Sequence, residues 1–276
     1  MTSVVISSAA RTAIGSFGRS LRDVPPIELG TTAARAAIER AGLEPGQVEH
    51  VVFGNVIHTQ VEDHYLARVV GINAGIPKES PALTLNRLCG SGLQAVVSAS
   101  QMIQCGDVEV ALAGGAESMS RGAYWAENAR WGVRMGDGSL VDSVVGALTD
   151  PFHKVHMGLT AENLSKSHDI SREDQDEFAL ESHRRAIAAI EAEKFAQEVV
   201  PIEVKAGRQT VEFKVDEHAR PDVSLEGLAK LKPAFDKAGT VTAGNASGVN
   251  DAAAAVVVMS ADKAEQLGAP VRARIL

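Results

Sequence analysis

The sequence is short of cysteine, proline, aromatic side chains and positive charge, and each shortage excludes something. Two cysteines in 276 residues cannot staple a disulfide scaffold. A thiol here serves packing or chemistry, and a reducing, cytoplasmic setting is expected. Ten prolines and 45% hydrophobic residues argue against a collagenous or disordered chain. Lys and Arg number 27 against 35 Asp and Glu, a formal charge of −8 that gives no global pull toward nucleic acid or anionic membranes. The opening Met-Thr-Ser-Val-Val-Ile lacks the basic and long apolar parts of a secretory signal. The longest uncharged run, Leu88 to Gly106, holds too much glycine, serine and glutamine for a membrane span. Aromatics make up only 4%, so closely approaching backbones are expected rather than large wedges.

What is present is an alternation of strand and helix signals. Strands are predicted at Val4–Ser8, His50–Ile57, Ala82–Asn86 and Val108–Ala113. Helices are predicted at Ile27–Ala41, Tyr65–Ala74 and from Gly90 to about Gln104. That order predicts an α/β layered sheet with right-handed crossovers. From Ser118 to about Gly248 the pattern changes to Gly- and Trp-containing loops, a charged helix after a Ser171-x-x-Asp174 capping box, and polar strands near Glu198–Val204 and Thr210–Val215. This reads as an excursion inserted into the sheet domain. The apolar register resumes at Ala252–Met259, a run suited to a strand buried on both faces. Ala261–Leu267 reads as a short helix, and Val271–Leu276 as a strand interrupted at its start.

The chemically informative segment is Asn86-Arg87-Leu88-Cys89-Gly90-Ser91-Gly92-Leu93-Gln94-Ala95. Cys89 falls at a strand-to-helix junction, where unpaired N–H groups and the helix dipole favour thiolate over thiol. The position suits a nucleophile, with nearby N–H groups available to an oxyanion. The helix that follows carries no charge on any face, so cover on all sides is expected. Gly90 to Ala95 also fits the G-x-G-x-x-A dinucleotide fingerprint, with Glu117 at a tolerable distance for a ribose contact. On pattern alone the two readings stand level. Cys105, at the far end of the same helix, reads as a packing thiol.

Five segments together resemble the thiolase family, within it the bacterial β-ketothiolases and acetyl-CoA acetyltransferases. They are Arg11 to Gly18, Asn86 to Ala95, Gly114 to Ser120, His156 to Glu162, and Thr242 to Gly248 with Asn250-Asp251. The resemblance implies a layered fold, αβαβα when complete, of which the first half and an inserted loop domain are present here. Residues 1–118 and 248–269 would form the N-terminal domain, 119–247 the CoA-binding loop domain, and 270–276 the start of a further domain. It implies that Cys89 takes an acyl group as a thioester during synthesis or cleavage of a 3-ketoacyl-CoA. Leu148, His156, Met157, Ala243 and Ser247 would line the pantetheine tunnel and Arg220 would sit near the adenine and phosphates. Acyl-CoA and CoA are the implied substrates, with no separate cofactor and no metal; His153 and His156 lack a third ligand of suitable spacing. The Trp125–Val141 stretch would be the oligomerisation loop, in a dimer or tetramer.

The family's Gly-His-Pro histidine, the cysteine of its Cys-x-Gly-Gly motif and its Asn-Glu-Ala segment have no match in these 276 residues. The expectation is therefore a fragment of a longer enzyme, unable to turn over alone and exposing an apolar face. The competing expectation is a noncatalytic acyl-CoA-binding module.

Overall fold

The computed structural model describes residues 2–276. The chain opens with β1 (Val4–Thr12), β2 (Gly15–Ser16), α1 (Pro26–Arg40), β3 (His50–Gly54), α2 (Leu66–Asn73), β4 (Ala82–Leu85), α3 (Ser91–Cys105) and β5 (Val110–Ser118). The middle contains β6 (Tyr124–Trp125), β7 (Val141–Asp142), α4 (Ser143–Ala147), α5 (Met157–Ser167) and α6 (Arg172–Glu191). After these come β8 (Val199–Val200), β9 (Ile202–Ala206), β10 (Gln209–Phe213) and α7 (Leu225–Ala229). The chain closes with β11 (Asn250–Ser260), α8 (Ala261–Leu267) and β12 (Ala273–Arg274). Two compact units result. One comprises the chain up to Ala123, Gln197–Val215 and Asn250–Leu276; the other comprises Tyr124–Ala196 and Asp216–Val249.

The first unit is built on a mixed sheet in the order β12-β1-β11-β5-β3-β4, with β2 on β11 and β8 on β1. The two-residue period of its strands sorts side chains between two covers. Val51, Phe53, Val110, Leu112, Val257 and Met259 join the cluster under α1 and α2. The alternate residues Val52, Ala111, Ala113 and Val258 join Ala95, Ala99 and Ile103 of α3. The β11 strand lies antiparallel between β1 and β5, with Val256 opposite both Ala9 and Ala113, whereas β3 runs parallel to β4 and β5. The small residues of α1 and β11 let these layers approach closely, as the scarcity of aromatics led one to expect.

Two differences from the sequence reading have physical causes. The β3 strand ends at Gly54 rather than Ile57, because the N–H groups of Val56 and Ile57 turn to the Glu117 carboxylate. The β8–β10 stretch folds with the first unit, since Arg11 and Thr12 pair with Val199 and Val200 while Ile202 and Val204 enter its core. The apolar face expected to be exposed lies on α3, where Leu93 and Val97 are open to solvent.

The second unit is helical and relies on polar anchors. Asp142 caps α4, His156 caps α5, and Ser171 with Asp174 forms the expected capping box on α6. Glu162 is buried on α5, where its carboxylate accepts from the N–H groups of Thr240 and Val241. Asn245 donates to Asp176, which also pairs with Arg172 at 2.8 Å. Among the described residues, no helix is long and apolar enough to cross a membrane.

Candidate active site

The cysteine turn is made by short local bonds. After β4 ends, the Asn86 side chain accepts from the Leu88 N–H at 2.9 Å, and Ser91 Oγ accepts from Arg87 N–H at 2.8 Å while donating to the Leu88 carbonyl at 2.6 Å. Leu88 is driven to φ +49°, a left-handed conformation that costs a branched residue of this kind on the order of 1 kcal/mol. The cost buys a sharp reversal, after which Cys89 stands exposed just ahead of α3. Gly90 is the N-cap, and no side chain caps the first turn. The Gly90 and Ser91 N–H groups donate to the Arg87 and Leu88 carbonyls within the turn, so what the helix start offers the thiol is the positive end of its dipole.

The surroundings of this turn are equally close. A Cβ on Gly54 would lie 2.6 Å from Cβ of Ser91, so only glycine lets the end of β3 meet the start of α3. Asn55 N–H donates to the Leu85 carbonyl at 3.1 Å, tying the same segment to the end of β4. Glu117, at the end of β5, accepts from Val56 N–H at 2.9 Å, Ile57 N–H at 3.0 Å and Asn55 Nδ2 at 3.2 Å. Burial pushes its carboxyl up to about 7, partly offset by the Ile57 and Val56 N–H bonds, with Asp63 and Asp251 adding to the rise. Cys105 is also exposed, not packed, because it lies on the uncovered end of α3.

In the second unit, Leu148, His156 and Met157 come together. Met157 N–H donates to the Leu148 carbonyl at 2.8 Å, and Thr149 bridges His156. His156 Nδ1 accepts from Gly158 N–H at 3.1 Å, which leaves Nε2 as the ring's N–H donor. That ring stacks on Phe235 with centroids 4.9 Å apart and an interplanar angle of 17°. A side chain on Gly158 would overlap the Phe235 ring, so the stack requires glycine there. Ala234 N–H donates to the Val241 carbonyl, leading from Phe235 to the turn that exposes Ala243 and Ser247. Arg220 stands outside this group: its guanidinium pairs with Asp222 at 3.0 Å, and its N–H donates to His183. The His183 ring is held below its ordinary value by burial, with His218 and Arg220 adding to the effect. His153 is paired with Asp150, and no group of three metal-ligating side chains occurs among the described residues.

Sequence reasoning missed Phe235, Glu162 and the work of Glu117. The glycine after His156-Met157 was a usable signal for Phe235, but nothing local pointed to its distant partner.

Comparison with known proteins gives the family. Residues 4–262 match the family model of the thiolase N-terminal domain. The chain is 57% identical to the beta-ketothiolase BktB of Cupriavidus necator over 99% of its own length and 70% of that protein's. It is 50% identical to an acetyl-CoA acetyltransferase of Pseudomonas aeruginosa, again spanning 70% of that protein. The solved structure of human mitochondrial 3-ketoacyl-CoA thiolase superimposes with a TM-score of 0.97 at 46% identity, over 99% of this chain and 70% of that one. The same human enzyme solved in complex with CoA gives 0.95 at 47% identity, over 99% of this chain and 69% of that one. The chain belongs to the thiolase family.

Proposed function

We propose that this chain is a thiolase-type acyltransferase in which Cys89 is the nucleophile and CoA thioesters are the substrates. In the cleavage direction, the sulfur attacks the 3-carbonyl of a 3-ketoacyl-CoA and the C2–C3 bond breaks. The acyl group stays on sulfur as a thioester, the departing acetyl-CoA enolate takes a proton, and a CoA thiol then removes the acyl group. Condensation is the reverse, and it exploits the poor delocalisation of a thioester carbonyl. The observation that carries this reading is the exposed thiol on a left-handed turn at an uncapped helix start.

The His156–Phe235 platform, with Leu148, Met157, Ala243 and Ser247, fits a wall for the pantetheine arm, mixing apolar surface with one N–H donor. Arg220 is assigned to the adenine and phosphates, for which its pairing with Asp222 must loosen or be shared. The proton transfers call for groups outside these 276 residues, the family's Gly-His-Pro histidine and Cys-x-Gly-Gly cysteine, which further polypeptide supplies in this reading. Assembly as a dimer or tetramer and a cytoplasmic location belong to the same proposal. Missing general acid–base help alone is worth about 10²–10⁴ in rate.

Intact-mass measurement after incubation with acetyl-CoA, with the complementing polypeptide present, tests the proposal. An acetyl increment lost in Cys89→Ala is expected; its absence would defeat the mechanism. CoA binding that ignores Cys89→Ala, with no turnover under complementation, would favour the noncatalytic binding module.

A further inference from the structure

The Glu117 carboxylate is an expensive way to fill space. It sits mostly out of water, near two other carboxylates, Asp63 and Asp251, and a neutral side chain would pack there at lower electrostatic cost. Its oxygens are committed to three donors, all from the segment just beyond β3: Asn55 Nδ2, Val56 N–H and Ile57 N–H. They are not turned to a ribose, as the dinucleotide pattern would have required. The same segment touches the cysteine turn from two directions. Asn55 N–H holds the Leu85 carbonyl, one residue before Asn86, and Gly54 abuts Ser91, whose hydroxyl closes the turn around Leu88. Two residues before Glu117, a Cβ on Gly115 would be 3.5 Å from the Gly92 Cα.

We propose that Glu117 is a positioning residue for Cys89: its carboxylate clamps Asn55–Ile57, and that segment holds the end of β4 and the start of α3 at the spacing the exposed thiol needs. The inference rests on the nucleophile reading given above. The ionised carboxylate accepts from all three partners, whereas an amide in its place would turn an N–H toward a backbone N–H. The clamp acts through Asn55, Val56 and Ile57, which makes Glu117 a positioning residue rather than a catalytic one.

Iodoacetamide alkylation of the intact chain, followed by peptide mass spectrometry, reads Cys89 and Cys105 in one sample, with Cys105 as internal reference. Glu117→Gln is expected to slow Cys89 relative to Cys105 by about tenfold at 25 °C, the order that a small misplacement of a reacting group produces. Asn55→Ala, which removes one donor and leaves both backbone donors, is expected to slow it less. Melting temperature is followed in parallel. A lower melting temperature with an unchanged Cys89-to-Cys105 ratio in the folded variants would overturn the clamp and leave a structural carboxylate. Should Glu117→Gln fail to fold, the ratio in Asn55→Ala decides by the same rule. Wild-type Cys89 reacting no faster than Cys105 would remove the nucleophile reading, and the clamp with it; a selective wild-type Cys89 with an unchanged variant removes the clamp alone.

Discussion

Two shielded carboxylates each accept hydrogen bonds from several donors. Glu162 is fully satisfied, by both N–H groups of Thr240 and Val241 and by the Thr240 hydroxyl at 3.2 Å. Glu162→Gln sets an amide N–H against those donors and is expected to lower stability by about 2–4 kcal/mol in denaturant titration. Burial raises the Glu117 carboxyl from 4.5 to about 7. Below pH 4.5 folded and unfolded chains both hold that proton; between 4.5 and 7 the folded chain holds more, so stability falls as pH rises through this window. Above 7 the full cost is present. Melts of wild type and Glu117→Gln across pH 4.5–8 should show that slope in the wild type and a flatter line in the variant. Equal slopes would contradict the burial assigned to this carboxyl.

At the scale of elements, most of the fold was readable because periodicity is a local property. Helix α8 occupies Ala261–Leu267, the range read as a short helix, and the capping box places the start of α6. Ser171→Ala is expected to cost about 1 kcal/mol by thermal melts, with α6 fraying at its first turn. What stayed hidden depends on partners far along the chain. The end of β3 is decided by Glu117 some sixty residues later, and β8 is drawn to β1 by Arg11, which pairs with Glu198 at 2.9 Å. The site divides the same way. Cys89 and its turn could be read from ten consecutive residues, whereas the stack under His156 needs Phe235, remote in sequence. Gly158→Ala should tilt the imidazole off Phe235 and raise KM for CoA thioesters in the complemented enzyme more than it lowers kcat.

At the scale of the whole molecule, the bare side of α3 governs behaviour in solution. Leu93 is 72% exposed and Val97 40%, on a helix with no charge to keep it apart from other apolar surface. A patch of this kind favours association. Light scattering of the 276-residue chain should show concentration-dependent self-association, reduced by Leu93→Glu; a monodisperse monomer at all concentrations would count against it. The relatives extend beyond the matched region, this chain spanning about 70% of their length.

Helix α3 also separates the two sulfurs by its own span. Cys89 lies two residues ahead of α3 and Cys105 is its last residue, so the helix between them rises about 21 Å. A disulfide demands Cα atoms within about 7 Å, so these thiols cannot close on each other inside one folded chain. Air oxidation can therefore only rivet separate molecules together, and with one exposed sulfur at or near each end of the helix, the products will be strings rather than rings of one. Storage without reductant should yield ladders on a non-reducing gel that collapse to a single band with dithiothreitol.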